Sequence, residues 1–270
     1  MLARGTGVLQ RGRAVAAITT YTLESTAAIV RAAERLGKPV LLSAGASSYG
    51  AVGREPLAAA ALAAAHAARV PVGVHLDHCR DAGEIDACLA LGYSSVMIDG
   101  SHLEFEANVA LTRTVVERAH AAGAWVEAEL GALSGDEDSS GVAAAGDMTD
   151  PAQAAEFAER TGVDALAVAV GNVHGFTPDP VRLDLVRLRT IADACSAALV
   201  LHGASGLPQE DLVGAVAAGV VKVNVNAELR RAHLQAIRTA EVGDDVRAMQ
   251  KLAIEAMTKV AEEKISLLAP

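Results

Sequence analysis

The stretch GVHLDHCRDAG, residues 73–83, ends a run of apolar β-formers in an acid and an imidazole, Asp77 and His78. Both side chains cost free energy to bury unless a partner or an ion meets them. The fold must therefore bring such partners to this point. Successive side chains on a strand alternate between faces, so Asp77 and His78 reach the same side only if the strand breaks its regularity here.

Working outward, runs of the same kind recur along the chain: AVAAI (14–18), PVLLS (39–43), VGVHLD (72–77), SVMID (95–99), WVEAEL (125–130), ALAVAV (165–170), ALVLHG (198–203) and VKVNV (221–225). Between them lie amphipathic Ala/Leu segments such as TLESTAAIVRAAERLG (22–37), which Gly37 and Pro39 stop. Continuous apolar strands read as parallel strands buried on both faces. Repeated βα units over about 250 residues predict an α/β fold, the TIM (β/α)8 barrel, with its chemistry at the C-terminal strand ends. The expected organisation is a single domain over 1–270 with a C-terminal helical extension at about 244–267. A doubly wound sheet fits less well, since neither a G-x-G-x-x-G turn nor a G-x-x-x-x-G-K-[ST] loop is present.

Composition narrows the class of function. Net charge is -10, from 33 acids and 23 bases, and no Lys/Arg stripe runs along the chain, so nucleic acid is not an expected partner. The longest apolar stretches, such as LAAAALAAAHAARV (57–70), are Ala-rich and interrupted, and the N-terminus has no export pattern. The reading is a cytoplasmic protein with no membrane association. Cys79, Cys88 and Cys195 are odd in number and lack metal-type spacing, which suits a reducing compartment.

The barrel rule predicts that polar residues gather where strands end, and they do: Asp77 and His78, Asp99, Glu127 and Glu129, His202, then Asn224 and Asn226, with His174 in GNVHGF after the sixth strand. Any one of these histidines alone reads as a hydrogen-bonded structural residue. His78, His174 and His202 together, on three strand ends of one rim, form the ligand set of a Zn²⁺ ion with an open fourth position. His75, two residues before Asp77, reads as inward packing. The glycine-rich turns VGNVHG (170–175) and LHGASGLP (201–208) bring backbone N–H groups to the rim, where a phosphate fits as well as a plain tight connection does.

VHLDHC, GYSSVMIDGSHLEFEANVALTRTVVERAHAAGAWVEAELG, GNVHGF, LVLHGASGLP and KVNVNAEL occur in this order between residues 74 and 229. They resemble the class II, zinc-dependent ketose-bisphosphate aldolases, the fructose- and tagatose-bisphosphate type. The resemblance implies reversible cleavage of a small phosphorylated sugar, a ketose, into dihydroxyacetone phosphate and an aldehyde through a metal-stabilised enediolate. It implies His78, His174 and His202 as catalytic zinc ligands, Asp99 and Glu129 as a second metal position, and Asp77 as the acid/base on the aldehyde oxygen. Glu137, in LSGDEDSSGVAAAGDMTDP (133–151), matches the acid that moves the donor's carbon-bound proton.

Gly175, Gly203, Ala204 and Ser205 match the donor-phosphate cradle, and Asn224, Val225, Asn226 and Ala227 its second segment. A monovalent cation, Na⁺ or K⁺, and a homodimer or homotetramer are implied by the family alone. Toward the aldehyde half, Thr19 stands where many fructose-bisphosphate aldolases have Asn, and Ile254 where they carry a phosphate-binding Arg. Ser43 is left as a weaker contact. These differences favour tagatose-1,6-bisphosphate or a phosphorylated keto-deoxy sugar acid over fructose-1,6-bisphosphate. A metal-dependent hydrolase on the same barrel and a non-catalytic phosphosugar-binding protein are the competing classes. Lys222, at the start of the eighth strand, reads as too far from the strand end to form a Schiff base.

Overall fold

A computed structural model describes residues 12–131, 148–175 and 181–269. In chain order the elements are β1 (Val15–Thr19), α1 (Leu23–Leu36), β2 (Val40–Gly45), α2 (Tyr49–Val52), α3 (Arg54–Ala67), β3 (Val72–Cys79), α4 (Ala82–Leu91), β4 (Ser95–Ile98), α5 (Phe105–Ala121) and β5 (Trp125–Leu130). They continue as α6 (Pro151–Thr161), β6 (Ala165–Val168), α7 (Leu185–Ala194), β7 (Ala198–Leu201), α8 (Gln209–Ala218), β8 (Val220–Val225), α9 (Ala227–Arg238) and α10 (Val246–Leu268). The strands pair in parallel and in sequence order, and β8 returns to β1 through Ala16 beside Val223, closing a TIM barrel.

Local chemistry sets the helix boundaries. Thr22 caps α1 by accepting from the Ser25 backbone while Ser25 Oγ returns a bond to the Thr22 N–H, a reciprocal box. Gly37, at φ 63°, ends the same helix, where a residue with a Cβ would be strained. Asp150 caps α6, with Pro151 in the first turn, where its missing N–H costs nothing.

The main core lies between sheet and helices, where Ile29, Leu42, Leu76, Ile98, Phe157, Leu166, Leu188 and Ile191 are fully buried, each such side chain contributing about 1.5–3 kcal/mol. Alternation along the strands sends Val74 and Leu76, Val126 and Ala128, and Val223 and Val225 into this outer layer. The opposite faces point into the barrel. There Val15, Ala17 and Leu41 make one small apolar cluster and Ala165, Ala167 and Val200 another. His75, Ser95, Glu127, Lys222 and Asn224 are buried too, so the strands are not apolar on both faces as their composition predicts. Polar groups tolerate this interior because they pair with one another.

α10 spans 23 residues and packs along α1, with Thr258 Oγ1 near the Ala28 carbonyl at 3.4 Å, and the Leu268 carbonyl accepts from the Ala14 N–H at 2.9 Å. It starts two residues later than the 244 read from sequence and ends one later than 267. Ile254 is half-buried in this helix and packs against the hydrophobic core. Among the described residues no helix is long and apolar enough to cross a membrane.

Candidate active site

The strand does break where Asp77 meets His78. On β3, Leu76 pairs with Val96 and Cys79 with Ile98, so three steps on one strand oppose two on the other. This β-bulge places His78 at φ 41°, the left-handed region that a non-glycine residue adopts at a cost of about 1–3 kcal/mol. The consequence is geometric. Asp77 continues the inward row begun by His75, and His78 is turned to the rim beside it.

Glycine conformation brings the other two histidines near. Gly203 follows His202 at φ 61°, and a Cβ there would lie 2.2 Å from the Val173 carbonyl oxygen, so only glycine lets the end of β7 touch the loop carrying His174. Asn172 fastens the same contact: its Nδ2 donates to the His202 carbonyl at 3.1 Å and its Oδ1 accepts from the Val170 N–H at 2.8 Å. Asn172 lies within the quoted GNVHGF motif, and the turn it fastens accounts for it.

The three imidazoles of His78, His174 and His202 each offer a nitrogen within 4.8 Å of the others. His78 Nε2 faces His202 Nδ1 at 2.8 Å. Nitrogens on a tetrahedral zinc at 2.0–2.1 Å stand about 3.3 Å apart, so a small opening of this pair accommodates the ion. The far sides of two of the rings face carboxylates. His202 Nε2 lies 2.7 Å from Glu127 Oε1, and His78 Nδ1 lies 4.0 Å from Asp99 Oδ2. Carboxylates behind imidazoles fix which nitrogen carries the proton and which offers its lone pair. On these grounds the donor set fits a zinc ion.

Asp99 is also held by Arg80, whose Nε lies 3.0 Å away, and by the Ser101 hydroxyl at 2.6 Å. Burial opposes its ionisation, but His78 and Ser101 outweigh that and hold it well below the usual carboxylate range. Glu129 is buried, with Oε2 4.0 Å from His202 Nδ1.

A small concavity opens beside the triad, lined by Gly175, Gly203, Ala204, Ser205, Asn224, Asn226 and Ala227. Tyr21 borders this segment, its hydroxyl donating to Asn226 Oδ1 at 2.7 Å. Val225 does not line it; the pleat turns its side chain into the outer core. Ser43 is completely buried next to His75 in the sheet register, its Oγ without a hydrogen-bond partner among the described residues. Glu137 lies outside the described residues.

Below the triad His75, Asp77, Glu127, Lys222 and Asn224 form a buried polar ring. Lys222 Nζ stands 2.8 Å from Glu127 Oε2 and 2.7 Å from Asn224 Oδ1. Burial would raise the Glu127 pKa, but the Lys222 ammonium and the His202 hydrogen bond hold it at about 2. Asp77 likewise resists its own burial and stays low through His78, His75 and Lys222. His75 is kept neutral, by burial and then by the ammonium. It is therefore a member of this ring, beyond the packing role read for it. His75, Asp77 and Glu127 are also close enough to share a cation, but Lys222 already supplies one there.

Comparison with known proteins agrees with this architecture. A family model for class-II fructose-bisphosphate aldolase matches residues 7–269. The chain is 42% identical over 228 residues to the D-tagatose-1,6-bisphosphate aldolase subunit GatY of Klebsiella oxytoca, covering 84% of this chain and 80% of that one. The crystal structure of the YdjI aldolase of Escherichia coli K12 superposes with a TM-score of 0.85 at 33% identity, covering 97% and 93% of the two chains. A fructose-bisphosphate aldolase of Campylobacter jejuni shares the fold at a TM-score of 0.77 and 24% identity, over 97% and 91%. With a family match over nearly its whole length, the chain belongs to the class-II fructose-bisphosphate aldolase family.

Proposed function

We propose that the protein is a zinc-dependent aldolase that reversibly cleaves a phosphorylated ketose into dihydroxyacetone phosphate and an aldehyde. The observation that carries this is the meeting, on one barrel rim, of three imidazoles and a glycine-lined concavity beside the buried carboxylate Asp77. His78, His174 and His202 hold the zinc, which when bound supplies a Lewis acid for the charge that develops next to the ketone. Asp77 moves the proton on the aldehyde oxygen, and Glu137 the proton on the donor carbon.

The donor phosphate sits against the backbone N–H groups of Gly175, Gly203, Ala204 and Ser205 and the segment Asn224 to Ala227, with a Na⁺ or K⁺ ion at nearby carbonyls. Asp99 and Glu129 serve as a second metal position once Arg80, whose side chain is 63% exposed, swings aside. The preference read from Thr19 and Ile254 agrees with the name of the relative, and tagatose-1,6-bisphosphate is the ketose we assign. The enzyme works as one barrel domain in a homodimer or homotetramer, and its free cysteines suit the cytoplasm.

The test is a cleavage assay of zinc-loaded and EDTA-treated protein against phosphorylated ketoses, reading dihydroxyacetone phosphate. Zinc-dependent cleavage, fastest on tagatose-1,6-bisphosphate, is the expected result. Full activity of metal-free protein, or hydrolysis of phosphate without carbon–carbon cleavage, overturns the reading.

A further inference from the structure

Lys222 is 5% exposed, inside a barrel whose lower layer is filled by Val15, Ala17 and Leu41. An ammonium at such a depth is costly unless its partners repay its lost hydration. Its partners Glu127 and Asn224 lead in opposite directions. Through Glu127 one path reaches His202, a ligand of the candidate metal site. Through Asn224 the other reaches Asp77, whose Oδ2 accepts from Asn224 Nδ2 at 3.0 Å.

We infer that Lys222 is a positioning residue whose donor-only ammonium sets the hydrogen-bond polarity of both paths at once, aligning the metal ligand His202 and the acid/base Asp77. The inference rests on the function proposed above. An ammonium has protons to give and no lone pair to accept one. Whatever faces it must be an acceptor, so Asn224 turns its Oδ1 to Lys222 and its NH₂ to Asp77. The Asn224 amide cannot flip without setting NH₂ against ammonium and oxygen against carboxylate.

On the other path, Lys222 binds Glu127 Oε2 and leaves Oε1 to accept from His202 Nε2–H. Nδ1 is then the nitrogen left with a lone pair, and it is the one that faces His78. Neutral His75 closes the ring, its Nε2 at 3.7 Å from both Asp77 Oδ1 and Glu127 Oε2. One charge thus couples two side chains that are 125 residues apart in sequence, 77 and 202.

The experiment compares wild-type protein with Lys222→Met and with Lys222→Met/Glu127→Gln, the second removing both buried charges so that no unpaired acid remains. Zinc affinity is measured by competition with a chromophoric chelator, kcat and KM are measured at saturating zinc, and the His202 tautomer is read in metal-free wild-type protein by ¹⁵N NMR of the imidazoles. The expected results are zinc binding weakened about 10–100-fold in both variants, kcat reduced about 10-fold or more with KM changed little, and a wild-type His202 protonated on Nε2. Wild-type zinc affinity and kcat in either folded variant would leave Lys222 a structural ion pair and overturn the inference. So would an Nδ1-protonated His202, a result that needs no variant to fold. If wild-type protein itself does not bind zinc, the proposed function fails, which the chelator titration distinguishes from failure of the lysine inference.

Discussion

His78 Nε2 stands 2.8 Å from His202 Nδ1, two ring nitrogens from strands far apart in the chain aimed at one another. Without a metal such a pair is stable only with a proton between the nitrogens, so ion and proton compete for the same place. Zinc at about 1,000 times its dissociation constant is expected to stabilise the fold by about 4 kcal/mol. Thermal unfolding with zinc and with EDTA measures this. A His78→Ala variant should lose the zinc-dependent rise, and a wild-type Tm indifferent to both additions contradicts the triad as a metal site.

Asp77 and Glu137 should separate in their effects. Asp77→Ala is expected to stop cleavage by about 10²–10⁴-fold while leaving hydrogen exchange at the donor carbon largely intact; Glu137→Ala should suppress the exchange. Proton NMR of dihydroxyacetone phosphate in D₂O reads the exchange directly. Equal loss of both activities in both zinc-loaded variants would refute the division of labour.

Gly203 and Gly175 differ in what surrounds them, though both have positive φ. At Gly203 a Cβ meets the Val173 carbonyl oxygen at 2.2 Å, whereas at Gly175 nothing among the described residues lies within 4 Å. Gly203→Ala should therefore cost about 2 kcal/mol or more and displace the His174 loop, while Gly175→Ala carries only the left-handed strain of about 1–2 kcal/mol. Urea unfolding and zinc affinity, measured together, check this. Equal effects would mean that the close approach of the two turns is not needed.

The Tyr21 hydroxyl donates to Asn226 Oδ1 and so fixes which end of that amide faces it. Tyr21→Phe removes this bond. Losing one such bond is worth about 1 kcal/mol, or about 5-fold in KM for a phosphorylated donor with kcat nearly constant. Steady-state kinetics on tagatose-1,6-bisphosphate test it, and an unchanged KM removes Tyr21 from substrate positioning.

Alkali should destabilise the protein through Tyr49 and Tyr93, whose hydroxyls lie 2.9 Å apart behind α4. Burial pushes the Tyr93 pKa up to about 12 and that of Tyr49 further up. A phenol with a raised folded pKa binds its proton more tightly in the fold, so its contribution is full below the unfolded value near 10. It is lost as pH rises from there through 12, on the order of 2 kcal/mol for Tyr93. Unfolding curves from pH 8 to 12 follow this loss, and absorbance at 295 nm reports the phenolates. Ionisation of all tyrosines near pH 10 in folded protein would contradict it.

The eight strands and the polar residues at their ends were legible without a structure because both are local. Apolar β-rich runs, the Thr22 and Asp150 caps and the stop at Gly37 each depend on a few neighbouring residues. The break between Asp77 and His78 also followed from two adjacent polar side chains on an alternating strand, and the register shift with His78 at φ 41° is how the chain makes it. What patterning could not carry was the direction of contacts across the barrel.

Lys222, Glu127 and His75 each look ordinary in their own strands: a lysine near a strand start, one acid among several, an imidazole on a packed face. Closure of β8 onto β1 points all three into one small interior, and there a lysine's charge and a histidine's tautomer depend on residues about a hundred positions away. Sequence by itself thus determined the barrel and the order of its strands, because backbone periodicity is short-ranged. Tertiary structure alone decided which polar atoms face one another, because hydrogen-bond partners across a closed sheet are fixed by register and side-chain direction rather than by spacing along the chain.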